Sequence, residues 1–269
     1  MSNFLKAWED LLDSDAQPLR LQYLNDNQDF DWEEFNPYRY VEEQYAPMLS
    51  ADVDMVKDLI GFYSNLPENV EIGDFGTGPS LLSLMVAATK AKSITIHEYS
   101  PQNIAYLIDV INDPQHADWR IWQKWWDKIC EIDPNYSKIN IHEFLMTKVD
   151  FFNDPYSLLD GNEPTKKYDV VSSFFVAESI TGNKREHRIA VKKLTSHTKE
   201  NGYLVSAFLI GAKGYNAGGG FPAVAVTPQS IQFLIENLGF VTKQLNRYKA
   251  EGLQSVQGSN LGLIIGRKC

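Results

Sequence analysis

The chain has 269 residues, of which 43% are hydrophobic and 22% charged, and its formal net charge is -10. This balance is ordinary for a soluble globular protein, and its acidic sign argues against nucleic acid as a partner. The two cysteines have no partner at a metal-binding spacing and the five histidines form no such pair. The composition therefore excludes a disulfide framework, and we expect no metal.

The start of the chain argues against secretion and membrane insertion. Residues 1–17 carry four acidic side chains among the apolar ones, whereas a signal peptide needs a basic start and an uninterrupted apolar run. No stretch of the chain approaches the roughly 18 apolar residues of a membrane-spanning helix. We therefore expect a cytoplasmic protein without a membrane partner.

The first half of the chain alternates between helix-like and strand-like patterns. Ser2 precedes apolar residues spaced three and four apart, which predicts a capped amphipathic helix over residues 4–12. An aromatic-rich segment follows over residues 35–47. Beyond it, the pattern predicts a helix over 51–64, a strand over 70–75, a helix over 79–90, a strand over 93–98 and a helix over 101–112.

Residues 113–147 interrupt this alternation as an inserted helical segment. Trp119, Trp122, Trp125 and Trp126 recur there at helical spacing, which favours the core of an inserted helix over an aromatic cage for a cationic amine. The rest of the chain predicts a strand ending near 149–150, a strand over 168–175, a helix over 184–199, a strand over 203–210, a glycine-rich stretch over 214–220, a helix over 228–237 and strands near 240–248 and 260–267. Within the glycine-rich stretch, residues 218–220 are predicted to form a flexible loop, with a mobile substrate lid as the alternative.

The order of these elements predicts the fold class. Strands that alternate with helices form a mostly parallel sheet covered on both faces. The last two strands have no helix between them, so we expect them to pair antiparallel at one end of the sheet. Because no linker marks a boundary, we predict a single α/β domain over residues 1–269, with residues 1–64 as an N-terminal cap.

The strongest chemical signal is the glycine turn, residues 74–79, which reads Asp-Phe-Gly-Thr-Gly-Pro. Ligands of such sheets bind at the carboxyl ends of strands, and Gly76 and Gly78 let a ligand approach the backbone. Asp74 would repel a pyrophosphate, but it suits a ligand with an ammonium or sulfonium group. A dinucleotide fingerprint needs a third glycine where Leu81 stands, and no P-loop is present. A turn that only lets strand and helix pack remains the alternative.

Acidic residues at the next two strand ends extend this signal. Glu98 stands 22 residues after Gly76, near the offset of roughly 20 residues at which a carboxylate meets ribose hydroxyls. Tyr99 is placed to pack against adenine. Asp150 ends the third strand, where a carboxylate accepts the exocyclic amine of adenine. For each acid the alternative is an ordinary exposed residue at a strand end.

Three motifs carry a resemblance to a known family. They are Phe-Asn-Pro with a tyrosine pair over residues 35–45, the glycine turn followed by serine at residue 80, and Glu-Tyr-Ser-Pro-Gln-Asn over residues 98–103. Residues 171–178 and Gly239-Phe240 extend the match to about residues 32–267. In these motifs the chain resembles the nicotinamide, phenylethanolamine and indolethylamine N-methyltransferases.

The resemblance implies a fold and a cofactor. The fold is the Rossmann-like class I methyltransferase fold, a mostly parallel seven-stranded sheet with an antiparallel last strand and an N-terminal helical cap. The cofactor is S-adenosylmethionine (SAM), with S-adenosylhomocysteine (SAH) as product and no metal. Together with the turn and strand-end residues above, the cofactor-binding set is then Tyr40, Tyr45, Asp74, Gly76, Thr77, Gly78, Glu98, Tyr99, Asn103, Asp150, Phe151 and Ser173.

The resemblance also implies an acceptor site. Glu178 is placed there as the catalytic residue, with Phe174 and Tyr215 as further substrate contacts. The acid that binds nicotinamide in one branch of the family is replaced near Phe208, which argues against nicotinamide as the acceptor. We therefore predict a monomeric SAM-dependent N-methyltransferase of a small-molecule amine. An oxygen, sulfur or guanidino acceptor, or a non-catalytic SAM-binding protein, remains the alternative.

Overall fold

The structure is a computed structural model that describes residues 26–151, 157–159, 166–217, 219–249 and 260–269. The helix predicted over residues 4–12 and the residue Gly218 lie outside these ranges. Of the N-terminal cap, residues 26–64 are therefore described.

A seven-stranded sheet forms the centre of the fold, and a separate two-stranded pair lies outside it. In chain order, the strands of the described residues are β1 (Val70–Phe75), β2 (Ala91–His97), β3 (Val149–Phe151), β4 (Tyr168–Phe174), β5 (Thr198–Ile210), β6 (Gly214–Asn216), β7 (Gly220–Pro222), β8 (Phe240–Tyr248) and β9 (Asn260–Lys268). The sheet has the order β3-β2-β1-β4-β5-β9-β8, and β6 pairs with β7 outside it. Strands β1 to β5 pair in parallel, whereas β9 runs antiparallel to both of its neighbours. The predicted mixed sheet with an antiparallel last strand is confirmed.

Helices cover the sheet and form the cap. They are α1 (Pro37–Gln44), α2 (Ser50–Ser64), α3 (Leu82–Ala87), α4 (Pro101–Asn112), α5 (Trp119–Ile132), α6 (Ile141–Lys148), α7 (Lys184–Ser196) and α8 (Pro228–Asn237). Asn36, Ser100 and Thr227 precede a proline and cap α1, α4 and α8 by accepting a backbone N–H of the first turn. Within the described ranges, no helix combines the length and apolar character needed to cross a membrane.

The predicted bounds of the helix that follows the glycine turn are wrong. The helix predicted over 79–90 spans only Leu82–Ala87, because Gly76 and Gly78 have φ of 64° and 59° and the turn continues to Ser80. The Ser80 hydroxyl accepts the N–H of Leu82 at 3.2 Å and so marks the helix start.

Further along the chain, the strand predicted from residue 203 begins at Thr198, which pairs with Tyr168. The preceding helix therefore ends at Ser196 and not at residue 199. The glycine-rich stretch, residues 214–220, contains β6 and the start of β7, because Tyr215 and Phe221 pair across a short hairpin.

The tryptophans of α5 form core, as the sequence pattern favours. Trp122, Trp125 and Trp126 are buried and Trp119 is partly buried. Removing about 200 Å² of indole surface from water stabilises a fold by roughly 5 kcal/mol before entropy is counted. The indole N–H of Trp125 also donates to the backbone oxygen of Tyr45 at 2.9 Å. The inserted segment therefore supports the cap directly.

This hydrogen bond yields a test of how the cap is held. Trp125→Phe leaves the buried carbonyl of Tyr45 without its donor and a gap where the indole stood. We expect the free energy of unfolding to fall by about 2–4 kcal/mol. Trp119→Phe, at a partly buried position on the same helix, is the control and should cost less. Chemical denaturation measures both, and an equal loss in the two variants contradicts the role of the hydrogen bond.

Candidate active site

β1 is followed by the glycine turn, and Asp74 links this turn to β4 by hydrogen bonds. The hydroxyls of Thr77 and Ser172 donate to the two carboxylate oxygens of Asp74. The carboxylate is buried, and burial raises the pKa of Asp74. Gly76 admits no side chain, because a Cβ there would lie 2.5 Å from Val176 Cγ1. Asp74 thus fixes the shape of the turn and is not among the residues that line the cavity above it.

Glu98 follows β2 and holds the glycine turn from the other side. Its Oε2 accepts the N–H of Gly78 at 2.7 Å, and its Oε1 accepts the N–H groups of Tyr99 and Ser100 at 2.9 and 2.8 Å. Burial raises the pKa of Glu98, while these bonds and one from the Asn103 side chain oppose the rise. Two carboxylate oxygens have about four acceptor sites, and these donors account for them.

A cavity of about 260 Å³ lies above the glycine turn, between the sheet and the cap. The half of it that we call the cofactor half is lined from the ends of β1 and β2 by Gly76, Thr77, Gly78, Pro79, Glu98, Tyr99, Ser100 and Asn103. The Tyr99 ring is 57% exposed and therefore open to stacking. Among the described residues that line the cavity, none is a lysine, an arginine or a histidine. The cavity is therefore acidic.

The other part of the cavity, which we call the aromatic half, is lined by Trp32, Phe35, Tyr40 and Tyr215. The rings of Trp32 and Tyr215 stack on Phe221, with centroids 5.3 and 5.5 Å away. Phe35 packs on Tyr40 at 5.2 Å. Because Phe221 belongs to β7 and Trp32 to the cap, these ring contacts join the cap to the hairpin of β6 and β7.

The predicted tyrosine pair lies where the cap meets the cavity. Tyr40 and Tyr45 both line it, and their ring centroids are 6.1 Å apart. Burial raises the pKa of both hydroxyls, so both tyrosines stay neutral at physiological pH. Tyr45 forms a side-chain hydrogen bond with Ser80, next to the glycine turn. The tyrosine pair is therefore tied to the same backbone that forms the cofactor half.

One buried polar atom of a lining residue lacks a hydrogen-bond partner among the described residues. It is Oδ1 of Asn103, in the cofactor half. Oγ of Ser173, a residue predicted to bind the cofactor, also lacks a described partner, but Ser173 is not among the residues that line the cavity. A free amide oxygen, the exposed Tyr99 and the carboxylates of Asp52 and Glu98 fit a ligand with a nucleoside and a positive charge, as SAM has. In the described part of the chain no group of three His, Cys, Asp or Glu side chains is arranged to hold a metal.

Glu178 lies just behind the lining of the cavity. Its Oε1 accepts the N–H of Leu209 at 2.9 Å and the hydroxyl of Ser179 at 3.3 Å, and both of these residues line the cavity. Burial raises the pKa of Glu178 to about 7. Its charge in turn raises the pKa values of Tyr40 and Tyr215. A carboxylate that titrates near neutral pH therefore adjoins the aromatic half.

The two residues predicted to contact the edge of adenine, Asp150 and Phe151, do not line the cavity. Asp150 is exposed on β3 and pairs with Thr95, and Phe151 is partly buried, and neither is among the residues that line the cavity. Residues 157–159 line it instead. They belong to no helix or strand, so hydrophobic periodicity gives no signal for them.

Sequence reasoning missed five lining residues of the cap, which are Asn27, Trp32, Phe35, Gln44 and Asp52. Trp32 and Phe35 belong to an aromatic cluster, and their density before α1 was the available signal. Asp52 gave none, because an acid in the first turn of an amphipathic helix is ordinary. Burial raises the pKa of Asp52 to about 7.

Comparison with known sequences decides the family. The sequence profile of the NNMT/PNMT/TEMT family matches residues 22–269. The chain belongs to this family. It is therefore a SAM-dependent methyltransferase. The nicotinamide N-methyltransferase of Caenorhabditis elegans is 23% identical over 210 residues, which cover 70% of this chain and 73% of that relative.

Solved methyltransferase structures share the fold. The N-methyltransferase NodS of Bradyrhizobium japonicum WM9 in complex with SAH has 12% identity and a TM-score of 0.51, and the match covers 87% of this chain and 98% of that one. The magnesium protoporphyrin IX methyltransferase of Synechocystis PCC 6803 with bound SAH has 13% identity and a TM-score of 0.56, with 90% and 97% covered. At these identities the likeness concerns the fold alone, and it confirms the class I methyltransferase fold.

The position of Glu98 in this methyltransferase leads to a binding test. Glu98→Ala should weaken the binding of SAH by about 1.5–3 kcal/mol, the usual contribution of hydrogen bonds to a charged group. The melting temperature should fall as well, because three backbone N–H groups lose their acceptor. Titration calorimetry on the folded variant separates the two effects. Glu71→Ala, at the opposite end of β1, is the control, and unchanged SAH affinity in Glu98→Ala excludes Glu98 from the cofactor site.

Proposed function

We propose that this methyltransferase transfers the methyl group of SAM to the nitrogen of a small-molecule amine. The observation that carries the proposal is Glu178, a buried carboxylate with a pKa of about 7 next to the aromatic half of the cavity. An amine is protonated in water and must lose a proton before its nitrogen can react, and a buried carboxylate with a raised pKa is a suitable proton acceptor. The similarity to a nicotinamide N-methyltransferase supports the choice of nitrogen.

Residues of the cofactor half would hold SAM, whose sulfonium supplies an activated methyl group. The backbone at Gly76 and Thr77 would lie beside the methionine part, and Glu98 and Asn103 would receive the ribose and adenosine. Tyr40 and Tyr45 are placed to close over the methionine part and exclude water. The acidic lining favours a positively charged ligand, because no cation among the described lining residues competes for it.

The free energy of deprotonating the amine determines how much assistance Glu178 would have to provide. An alkylamine with a pKa near 10 is neutral in about one molecule in a thousand at pH 7, which corresponds to roughly 4 kcal/mol. A desolvated site recovers part of this cost by destabilising the ammonium form, and a nearby carboxylate recovers more by accepting the proton. Glu178 would accept it directly or through a water molecule at Oε2, because Oε1 already binds Leu209 and Ser179.

A direct assay tests the proposed function against its alternatives. The chain is incubated with SAM and a panel of primary amines, alcohols, thiols and guanidines, and SAH formation is followed. Turnover confined to the amines supports the proposal. Turnover confined to another group identifies an oxygen, sulfur or guanidino acceptor. SAM binding without turnover on any panel member identifies a non-catalytic SAM-binding protein.

A substitution at Glu178 tests the proposed proton acceptor. Glu178→Gln keeps the shape and removes the charge, so kcat/KM for the amine should fall by at least about tenfold. Because the carboxylate is ionised above pH 7, wild-type kcat/KM should rise as the pH passes through about 7. The variant should lack this rise and recover activity only at the higher pH that supplies neutral amine.

The control for this test is Glu200→Gln, which removes an exposed carboxylate on β5. It should leave both kcat/KM and the pH profile unchanged. Normal turnover by Glu178→Gln, or a defect in SAH affinity alone, removes Glu178 from the mechanism.

A proteolysis experiment tests closure of the cap. Residues 30–47 carry the tyrosine pair and two of the aromatic residues of the cavity, so SAH should slow cleavage within this segment. Limited proteolysis with mass spectrometry compares the cleavage rate with and without SAH. Cleavage in the exposed stretch around Lys138, which is not among the residues that line the cavity, is the internal control. Equal rates in residues 30–47 under the two conditions contradict the lid.

A further inference from the structure

Asp52 is a carboxylate of the cap that the mechanism above does not use. It is the third residue of α2, it is partly buried, and it lines the cavity. Burial raises its pKa to about 7, and no hydrogen bond or cation among the described residues opposes the rise. Asp74 and Glu98 differ in this respect, because hydroxyl or N–H groups donate to both of them. Asp52 therefore faces the cavity without a compensating partner in the described chain.

Asp52 lines the same cavity as the tyrosine pair, Tyr40 and Tyr45. Burial and the neighbouring tyrosines contribute most to the raised pKa of Tyr40, and the negative charges of Asp52 and Glu178 add to it. Burial is also the largest cause of the raised pKa of Tyr45, and Asp52 adds to it. Asp52 belongs to the cap, whereas Glu178 belongs to the segment that follows β4.

The surroundings of Asp52 favour a cationic ligand. Trp32, Phe35 and Tyr215 line the same cavity. Aromatic rings attract ammonium groups placed over a face. A desolvated carboxylate without a partner is costly, and a bound cation offsets that cost. Since no lysine, arginine or histidine is found among the described lining residues, the cation must come with the ligand.

We propose that Asp52 selects the acceptor by pairing with the ammonium group of an amine bound in the aromatic half. The proposal rests on the function proposed above and adds a recognition group that is distinct from Glu178. Because Asp52 belongs to the cap, the charge of the acceptor also draws the cap onto the site. The competing explanation is that Asp52 serves only the start of α2, where a carboxylate interacts favourably with the helix dipole.

The experiment measures binding and does not depend on turnover. Chain loaded with SAH is titrated with matched pairs that differ in charge, benzylamine with benzyl alcohol and 2-phenylethylamine with 2-phenylethanol. Wild type should prefer the amine of a pair. Asp52→Asn should weaken amine binding by about tenfold or more and leave alcohol binding and SAH affinity unchanged. Asp52→Glu, which keeps the charge, should retain part of the preference.

The control is Asp54→Asn, which removes an exposed carboxylate from the same helix, where it pairs with Lys57 at the surface. It should alter neither preference nor SAH affinity. A preference for amines that survives in Asp52→Asn contradicts the proposal, and so does wild type that favours neither member of any pair. A loss of SAH affinity in Asp52→Asn would assign Asp52 to cofactor binding, and this result also contradicts the proposal. If amine preference depends on Asp52 but no amine is methylated, the proposed function fails and the recognition role stands.

Discussion

Two buried carboxylates, Asp74 and Glu98, hold one short turn between them, and the geometry of the whole site follows from this arrangement. Each is removed from water, and each is stabilised by hydroxyl or backbone N–H donors. Dipolar donors of this kind satisfy the oxygens of a carboxylate without cancelling its charge. The turn therefore has a defined shape and a negative electrostatic potential, and this potential attracts a ligand with a positive charge.

The cap is held against this turn by contacts that are mostly made to backbone atoms. Trp125 donates to the carbonyl of Tyr45, and the N–H of Asn36 donates to the carbonyl of Ala217 in the hairpin. Asn27 donates to the carbonyl of Ile180. If the cap opened, the bonds of Asn27 and Asn36 would be exchanged for bonds to water at little net cost. The aromatic contacts would lose buried area in the same step, so under the proposed closure they contribute most to the stability of the closed state.

Much of this structure was accessible from the sequence, for reasons that particular residues illustrate. β1 and α4 were predicted with their observed bounds, because a buried strand before a glycine turn and a Ser-Pro helix start are local signals. Glu98 could be placed because a strand end fixes its position. The short α3 and the hairpin of β6 and β7 could not, since the positive φ of Gly78 and the pairing of Tyr215 with Phe221 depend on tertiary contacts. Asp52 could not be singled out for the same reason.

The two halves of the cavity are formed by different kinds of structural element. Strand ends of the central sheet form the cofactor half, whereas Trp32, Asp52 and Tyr215 come from a short turn, a cap helix and a hairpin outside that sheet. These three side chains lie outside the seven-stranded sheet, so replacing them does not alter the pairing of its strands. Under the proposed function, acceptor choice could therefore be redirected by changes in the cap and the hairpin without changes in the strand ends that form the cofactor half.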